Sequence, residues 1–236
     1  MLEELGQVFR GTAADADRAA YAAAIIDENL TDKRTTATRR ITNQRLGELY
    51  SLDRSVLIFR VLRQFWASDD HGRPLLALLC GLARDPLLRA TAPPILSMQA
   101  GEELARQRMT DAVREAVGNR LNDNVIDKVV RNASSSWTQS GHLNGRARKT
   151  RQAVRPTPLS VAYALFLGYL LGLRGPRLLT TLWAKSFDSS VDELVFLAMD
   201  AKRFGVLDLK QAGDVIEIGF APILTPDEMR DTYGTN

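Results

Sequence analysis

Residues 134–155, SSSWTQSGHLNGRARKTRQAVR, contain the side-chain types that nucleophilic catalysis uses. Ser136, Ser140 and His142 are close in sequence, and a serine activated by a histidine is the nucleophile of many hydrolases. Such a pair needs a third group that orients the imidazole, but the segment contains no acid and the chain has no GxSxG elbow. We therefore predict no catalytic residues here and a protein that is not an enzyme.

Other side chains suited to metal or nucleotide chemistry are scattered. The two histidines and the lone Cys80 are far apart, which is not the spacing of a zinc site. The chain lacks GxGxxG and GxxxxGK[ST], the loops that hold dinucleotides and triphosphates. Asp208, Lys210 and Glu217 resemble the acids and lysine of metal-dependent nucleases, but alternation on the polar face of a hairpin explains them. We predict no metal and no cofactor.

Positive charge is concentrated in two segments without acids. Residues 131–155 hold six basic side chains, and residues 33–45 hold five. Such clusters neutralise phosphates and release counterions, the main source of non-specific affinity for nucleic acid. The predicted nucleic-acid-binding residues are Arg131, Gln139, Asn144, Arg146, Arg148, Lys149 and Arg151, together with Lys33, Arg34, Arg39, Arg40 and Arg45.

Both segments also have an ordinary structural explanation. An arginine-rich helix face is often only solvated and paired with local acids. Trp137 is more typical of a core residue that anchors a helix end than of a base-stacking platform. The helix that begins at Ser190 carries Asp192 and Glu193 in its first turn, where they would repel phosphates. That helix therefore favours packing or protein contact over DNA binding.

Helical periodicity organises most of the chain, with proline and glycine at the breaks. The predicted helices cover residues 14–28, 31–49, 53–68, 73–85, 101–118, 122–140, 159–173, 176–187 and 190–205. VLDLK (206–210) and VIEIGF (215–220) alternate apolar and polar residues around the turn QAGD, which predicts a hairpin. Asn144–Gly145 is a turn dipeptide that indicates a second, smaller hairpin or wing.

This order of elements predicts a mainly α fold. We expect a helical N-terminal domain over 1–98, bounded by Pro93 and Pro94, and a helical unit with a basic wing or loop over 99–158. Three short helices followed by a hairpin predict a winged helix-turn-helix-like unit over 159–222, and a tail covers 223–236. The architecture would thus be a helical region followed by winged-helix-like units with a short C-terminal β-hairpin.

Composition is that of a globular protein: 236 residues, 45% apolar and 25% charged. The most apolar segment, 159–173, has fifteen residues, whereas a membrane-spanning helix needs about 20. We interpret it as a buried core helix and predict no membrane association. The N-terminus has no secretory pattern and the chain has one cysteine, so a cytoplasmic location is expected.

Three stretches carry a resemblance to a known family: AAIIDENLTDKRTTATRRITNQRLGELY, LLALLCGLARDPLLRATAPPIL and SSSWTQSGHLNGRARKTR. Over roughly residues 10–222 the chain resembles the small BrxA-type protein of bacterial BREX (bacteriophage exclusion) systems. The resemblance implies an all-helical accessory protein associated with DNA binding and likened to a transcription-antitermination RNA-binding fold. It implies no catalytic residues, because methyltransferase and ATPase activities belong to other subunits of such systems.

These observations lead to one main functional hypothesis and two alternatives. We expect a non-enzymatic accessory protein of a phage-defence system that binds the phosphates of double-stranded DNA and contacts other subunits of that system. One alternative is a scaffold whose patches dock an acidic partner subunit. The other is RNA binding. The basic loop would fit RNA equally well, because no residue in it is identified as one that distinguishes RNA from DNA by the 2′-hydroxyl.

Overall fold

The computed structural model describes residues 1–213 and 215–233 and is mainly α-helical, as predicted. The helices are α1 Leu2–Gly11, α2 Arg18–Ile26, α3 Thr36–Tyr50, α4 Leu57–Ser68, α5 Arg73–Arg84, α6 Pro86–Ala90, α7 Ala92–Leu96, α8 Arg106–Val117, α9 Asp123–Gln139, α10 Pro158–Leu170, α11 Leu182–Lys185, α12 Val191–Arg203 and α13 Pro226–Tyr233. Single 3-10 turns cover Gly118–Arg120, Gly175–Thr180 and Ala221–Ile223. Asp214 of the predicted QAGD turn and residues 234–236 of the predicted tail lie outside the described residues.

Two antiparallel hairpins accompany the helices. The first pairs β1 Leu143–Asn144 with β2 Thr150–Arg151, and the second pairs β3 Asp208–Ala212 with β4 Val215–Gly219. Both hairpins were predicted. The first depends on Gly145, whose φ is +112° and whose added Cβ would lie 2.0 Å from the Arg148 carbonyl oxygen. Any other residue would therefore strain this turn.

Several helices begin later than the sequence predicts. The predicted cap of α3 at Thr31 or Asp32 was wrong, because Asp32 has a φ of +50° and Thr35 is the cap that accepts from the Thr38 amide. The start of α4 at 53 was also wrong, because the Asp53 carboxylate binds the Ser55 amide and hydroxyl in a local turn. Side chains that compete for nearby backbone groups delay helix formation in both places.

The largest difference concerns the helix predicted over 101–118. Residues 102–104 are extended and pair with β2 instead, and Glu103 lies opposite Thr150. The Leu104 amide donates to the Lys149 carbonyl (2.7 Å), and the Arg151 amide donates to the Glu102 carbonyl (2.9 Å). Glu102 and Glu103, which lie inside the predicted helix, therefore precede α8 and belong to a third, short strand-like segment beside the first hairpin.

Helix α10 lies at the centre of the molecule and is buried on all sides from Leu159 to Tyr169. It packs against α4, α5, α11 and α12, and the Tyr163 hydroxyl donates to the Ile58 carbonyl (3.0 Å). The prediction of a buried core helix is confirmed. Within the described residues, no helix is long and apolar enough to cross a membrane.

Buried side chains from α1 to the segment after β4 belong to one continuous apolar core. The predicted boundary near residue 98 stays a prediction, although α10 packs directly on α4 and α5. In α12, Leu194, Val195 and Ala198 are buried, whereas the apolar side chains of Val191 and Met199 remain exposed.

Candidate nucleic-acid interface

Helix α9 has one buried side and one solvent-exposed polar side. It begins at Asn122, whose side chain accepts from the Val125 amide (3.0 Å). Its buried residues recur at helical spacing and are Ile126, Val130, Ala133 and Trp137. The exposed side includes Asn124, Lys128, Arg131, Asn132 and Ser135, which we call the α9 face, and it also carries the acids Asp123, in the first turn, and Asp127. Cations and amides thus project from a helix that the core holds in place.

Trp137 fixes the C-terminal end of α9. Its indole is fully buried, and Nε1 donates to Thr91 Oγ1 (2.8 Å). The ring also meets His142 edge to face, with centroids 4.9 Å apart. The prediction that Trp137 anchors a helix end is confirmed, and its burial removes it from base stacking.

A basic groove of about 230 Å³ lies between α8, α9 and the loop 145–149. Its polar lining is dominated by four cationic side chains. These are Arg106, Arg131, Arg146 and Lys149. Arg106 and Arg131 both bind Asp127, the latter through Nη2 to Oδ2 at 2.8 Å. One carboxylate therefore serves two guanidinium groups, and the groove keeps an excess of positive charge.

The loop 145–149 presents two arginines and anchors one lysine. Arg146 forms no ion pair or hydrogen bond with any described residue. The side chain of Arg148 is 86% exposed, and its Nε lies 3.9 Å from Glu103 Oε1. Lys149 Nζ donates to the Ser134 carbonyl (3.2 Å) and to Thr138 Oγ1 (2.6 Å), and desolvation lowers the pKa of its ammonium group. Lys149 thus ties the loop to α9, while Arg146 and Arg148 face solvent.

Arg151 is the one predicted cation of this segment that is buried, with a side chain only 2% exposed. Its Nε donates to the Ile95 carbonyl (3.1 Å), and its other nitrogens donate to the Gln152 carbonyl and the Asp188 carboxylate. A phosphate cannot reach this guanidinium while the fold is intact. We therefore leave Arg151 out of the interface.

The two polar predictions differ in their surroundings. Gln139 Oε1 accepts from the amide of Leu2 (2.9 Å) and from the amino group of Met1 (3.2 Å), so it caps the start of α1. Asn144 is exposed beside Gly145 and lies at the base of the loop. Of the two, Asn144 is the one free to contact a ligand.

The cations of residues 33–45 also divide into side chains with partners in the fold and side chains that are exposed. Lys33 Nζ bonds Glu4 Oε1 (3.0 Å), and Arg39 donates to the carbonyls of Lys33 (3.1 Å) and Ile26 (3.2 Å). Burial would raise the pKa of Glu4, but the hydrogen bond from Lys33 and the N-terminal ammonium lower it to about 2. Lys33 and Arg39 therefore hold the α2–α3 connection rather than extend freely into solvent.

Three cations of this segment remain exposed, and no described residue pairs with them: Arg34, Arg40 and Arg45. Arg45 lines a second groove of about 620 Å³, together with Asn132, Ser135 and Gln139 of α9. The structure thus brings Arg45 to the α9 face, and it gives no such juxtaposition for Arg34 and Arg40.

Two cations of the interface were missed by the sequence analysis. Arg106 was placed inside a helix with an acidic start, although it begins α8 directly after the extended segment 102–104. Lys128 lies just before the predicted segment 131–155, although the acid-free stretch extends back to it. Its position three residues before Arg131, off the Ile126–Val130 side, was the available signal.

The structure brings Ser140 and His142 within hydrogen-bond distance of each other. Ser140 Oγ lies 2.9 Å from His142 Nδ1, and Nε2 lies 2.7 Å from the Ser186 carbonyl oxygen. Because a carbonyl only accepts, Nε2 carries the proton and Nδ1 is an acceptor, so the single proton of the Ser140 hydroxyl has two acceptors, Nδ1 and the Trp137 carbonyl (3.1 Å). His142 is fully buried, and Ser140 borders a pocket of only about 20 Å³, which has no room for a substrate.

The other residues that the sequence offers for chemistry include Cys80 and the hairpin residues Lys210 and Glu217. Burial raises the pKa of the Cys80 thiol to about 12, which keeps it protonated. Lys210 and Glu217 face each other across the C-terminal hairpin with exposed side chains. The described part of the chain contains no group of three or more His, Cys, Asp or Glu side chains arranged to hold a metal ion.

His142 predicts a pH dependence of stability. Desolvation lowers its pKa from 6.5 to about 4; Arg151 also lowers it, while the Ser186 carbonyl and Asp188 act in the opposite direction. The unfolded chain thus binds more protons between pH 6.5 and 4, so this stabilisation is complete above pH 6.5 and is lost as the pH falls. We expect the free energy of unfolding to drop by about 2 kcal/mol from pH 7 to pH 5.

Urea denaturation at both pH values measures this drop. In His142→Gln the titrating group is absent, so the variant should be less stable at pH 7 but should lose less stability on acidification. Equal losses in the two proteins would show that His142 is not responsible.

Comparison of the chain with protein-family models, curated proteins and solved structures gave no match.

Proposed function

We propose that the protein binds double-stranded DNA through the α9 face and the loop 145–149, without catalysing a reaction. The observation that carries the proposal is the basic groove in which α8, α9 and the loop present four cations, two of which share the Asp127 carboxylate. Exposed cations on such a surface contact the phosphates of DNA directly and release the counterions that are condensed on the DNA.

The connectivity around α9 supports this proposal. The extended segment 102–104 is followed by α8, α9, β1, the loop 145–149 and β2, and β2 pairs with both β1 and the segment 102–104. This order is similar to the last two helices and the wing of a winged helix-turn-helix unit, and we propose α9 as its recognition helix and the loop 145–149 as its wing. In such proteins the second helix enters the major groove.

The distribution of side chains on α9 fits that role. Lys128 and Arg131 would contact phosphates, and Asn132 carries an amide of the kind that pairs with adenine edges. The wing adds Arg146 and Arg148, and Arg45 extends the surface on the other side of α9. Backbone contacts would therefore surround a small number of base-reading groups.

The biological setting rests on the sequence resemblance. We propose that the chain is a BrxA-type accessory protein of a BREX phage-defence system and acts in the cytoplasm beside its catalytic subunits. DNA binding by a non-enzymatic subunit would bring such a system to its substrate. The antitermination-like alternative predicts RNA as the ligand of the same surface.

The C-terminal elements favour a different task. Helices α10 to α12 and the hairpin β3–β4 repeat the winged-helix order, but the first turn of α12 contains Asp192 and Glu193 and its exposed surface includes Phe196. A surface of acids and apolar groups suits protein contact and not phosphate. A scaffold role can therefore accompany DNA binding in one molecule.

Competition binding tests the proposal. Fluorescence anisotropy with a labelled duplex, competed by duplex DNA, single-stranded DNA or duplex RNA, should rank duplex DNA first. The logarithm of the association constant should fall with the logarithm of salt concentration with a slope of about −4 to −5, since the exposed cations Arg45, Lys128, Arg131, Arg146 and Arg148 each release about 0.9 counterion. Preference for RNA, or affinity independent of salt, would contradict the proposal.

A further inference from the structure

Helix α12 has an exposed side that nothing in the described chain covers. Its capping box is formed by Ser190 and Glu193, and its opposite side packs into the core through Leu194, Ala198 and Ala201. On the outer side, Phe196 is 64% exposed and Met199 is 41% exposed. Two large apolar side chains one turn apart thus form the centre of a surface-exposed stripe.

Charged residues of opposite sign bound this stripe. Asp192 lies one turn before Phe196, and Arg203 lies one turn after Met199, so spacings of four, three and four place all four on one side of the helix. We call these four residues the α12 stripe. It extends about 16 Å along the helix, at 1.5 Å per residue.

When this order of acid, apolar, apolar and base is placed against an antiparallel copy of itself, each acid lies opposite a base and each apolar residue lies opposite an apolar residue. Two copies of α12 that run antiparallel about a two-fold axis between Phe196 and Met199 set Asp192 opposite Arg203 of the second copy, and Phe196 opposite Met199. The two-fold symmetry generates the charged contact and the apolar contact twice each. We infer that the α12 stripe is an isologous interface through which two copies of this chain associate.

The charged ends are available for this contact. Asp192 has no ion-pair partner in residues 1–213 and 215–233. Arg203 is 83% exposed and donates only to Asp200 (3.0 Å), three residues earlier. Because an exposed pair of this kind contributes little, Arg203 can exchange Asp200 for Asp192 of the second copy at small cost. The apolar centre supplies affinity, and the charges set the antiparallel direction.

This inference is independent of DNA binding, since the α12 stripe and the α9 face lie on different helices and share no residue. A two-fold dimer would carry two α9 faces. It would thus be suited to two half-sites related by the same symmetry.

Sedimentation velocity of the full chain at increasing concentration tests the inference. We expect a concentration-dependent shift to twice the mass of one chain. Asp192→Arg and Arg203→Glu each place like charges opposite each other at both ends of the interface, so each should weaken association about tenfold or more. Phe196→Glu should leave the chain monomeric. Leu171→Glu, which changes another exposed apolar residue, is the matched control and should associate normally.

Mixing the two single charge variants is the decisive part of the experiment. Asp192→Arg combined with Arg203→Glu restores an opposite charge at each end, so a heterodimer should form where neither variant dimerises alone. The double variant in one chain should also dimerise. A monomer at every concentration overturns the inference and leaves the α12 stripe to a different protein. A dimer that is insensitive to these changes, or variants that stay monomeric when mixed, would also overturn it.

Discussion

The double variant Arg146→Glu/Arg148→Glu is expected to bind duplex DNA about a hundredfold more weakly than the unaltered chain, which corresponds to about 2.7 kcal/mol. Both side chains face solvent from the loop 145–149, and neither is needed to hold it, because Lys149 and the pairing of β1 with β2 do so. The substitution removes two phosphate contacts and adds two negative charges beside the α9 face. Folding should be unaffected, since the altered groups are exposed.

Anisotropy titrations at several salt concentrations would measure this loss. The matched control is Arg177→Glu/Lys185→Glu, which changes the net charge equally on exposed residues outside the groove. If the control loses as much affinity as the loop variant, binding depends on net charge alone. Full binding by the loop variant would remove the loop from the interface.

Arg151→Met is expected to lower the free energy of unfolding by about 3 kcal/mol while leaving DNA affinity unchanged in the folded protein. The substitution leaves the Asp188 carboxylate without its partner and the carbonyls of Ile95 and Gln152 without donors. Removing one member of a buried pair typically costs about 3–5 kcal/mol, and the partial exposure of Asp188, 25%, places this pair at the lower end.

Urea denaturation followed by circular dichroism gives the stability, and the double variant Arg151→Met/Asp188→Asn provides the control, because asparagine tolerates the φ of +55° at position 188. With both charges removed, part of the lost stability should return. The opposite pattern, unchanged stability with lost DNA binding, would return Arg151 to the interface that the sequence assigned to it.

The sequence predicted those turns, hairpins and buried residues that depend only on neighbouring residues in the chain. The turn at Asn144–Gly145 needs a glycine φ that no other residue adopts readily, and the C-terminal hairpin follows from alternating side chains. Trp137 was recognisable as a core residue because it continues the apolar side of α9. In each case the information lies within a few neighbouring residues.

Features that depend on distant partners could not be predicted in this way. Arg151 is buried because Ile95 and Asp188, 56 and 37 residues away, receive its hydrogen bonds. Gln139 caps a helix that begins 137 residues earlier. Residues 102–104 have a helical pattern but pair with β2. A basic segment in sequence therefore separates into structural and exposed cations only when its tertiary partners are known.

Photo-crosslinking of the unaltered chain to a labelled duplex, with mass-spectrometric identification of the attached peptides, tests the central claim most directly. We predict crosslinks within α9 and the loop 145–149, diminished by high salt and by unlabelled duplex. Crosslinks confined to α12, or to residues 33–40, would contradict the assignment of the α9 face as the DNA-binding surface.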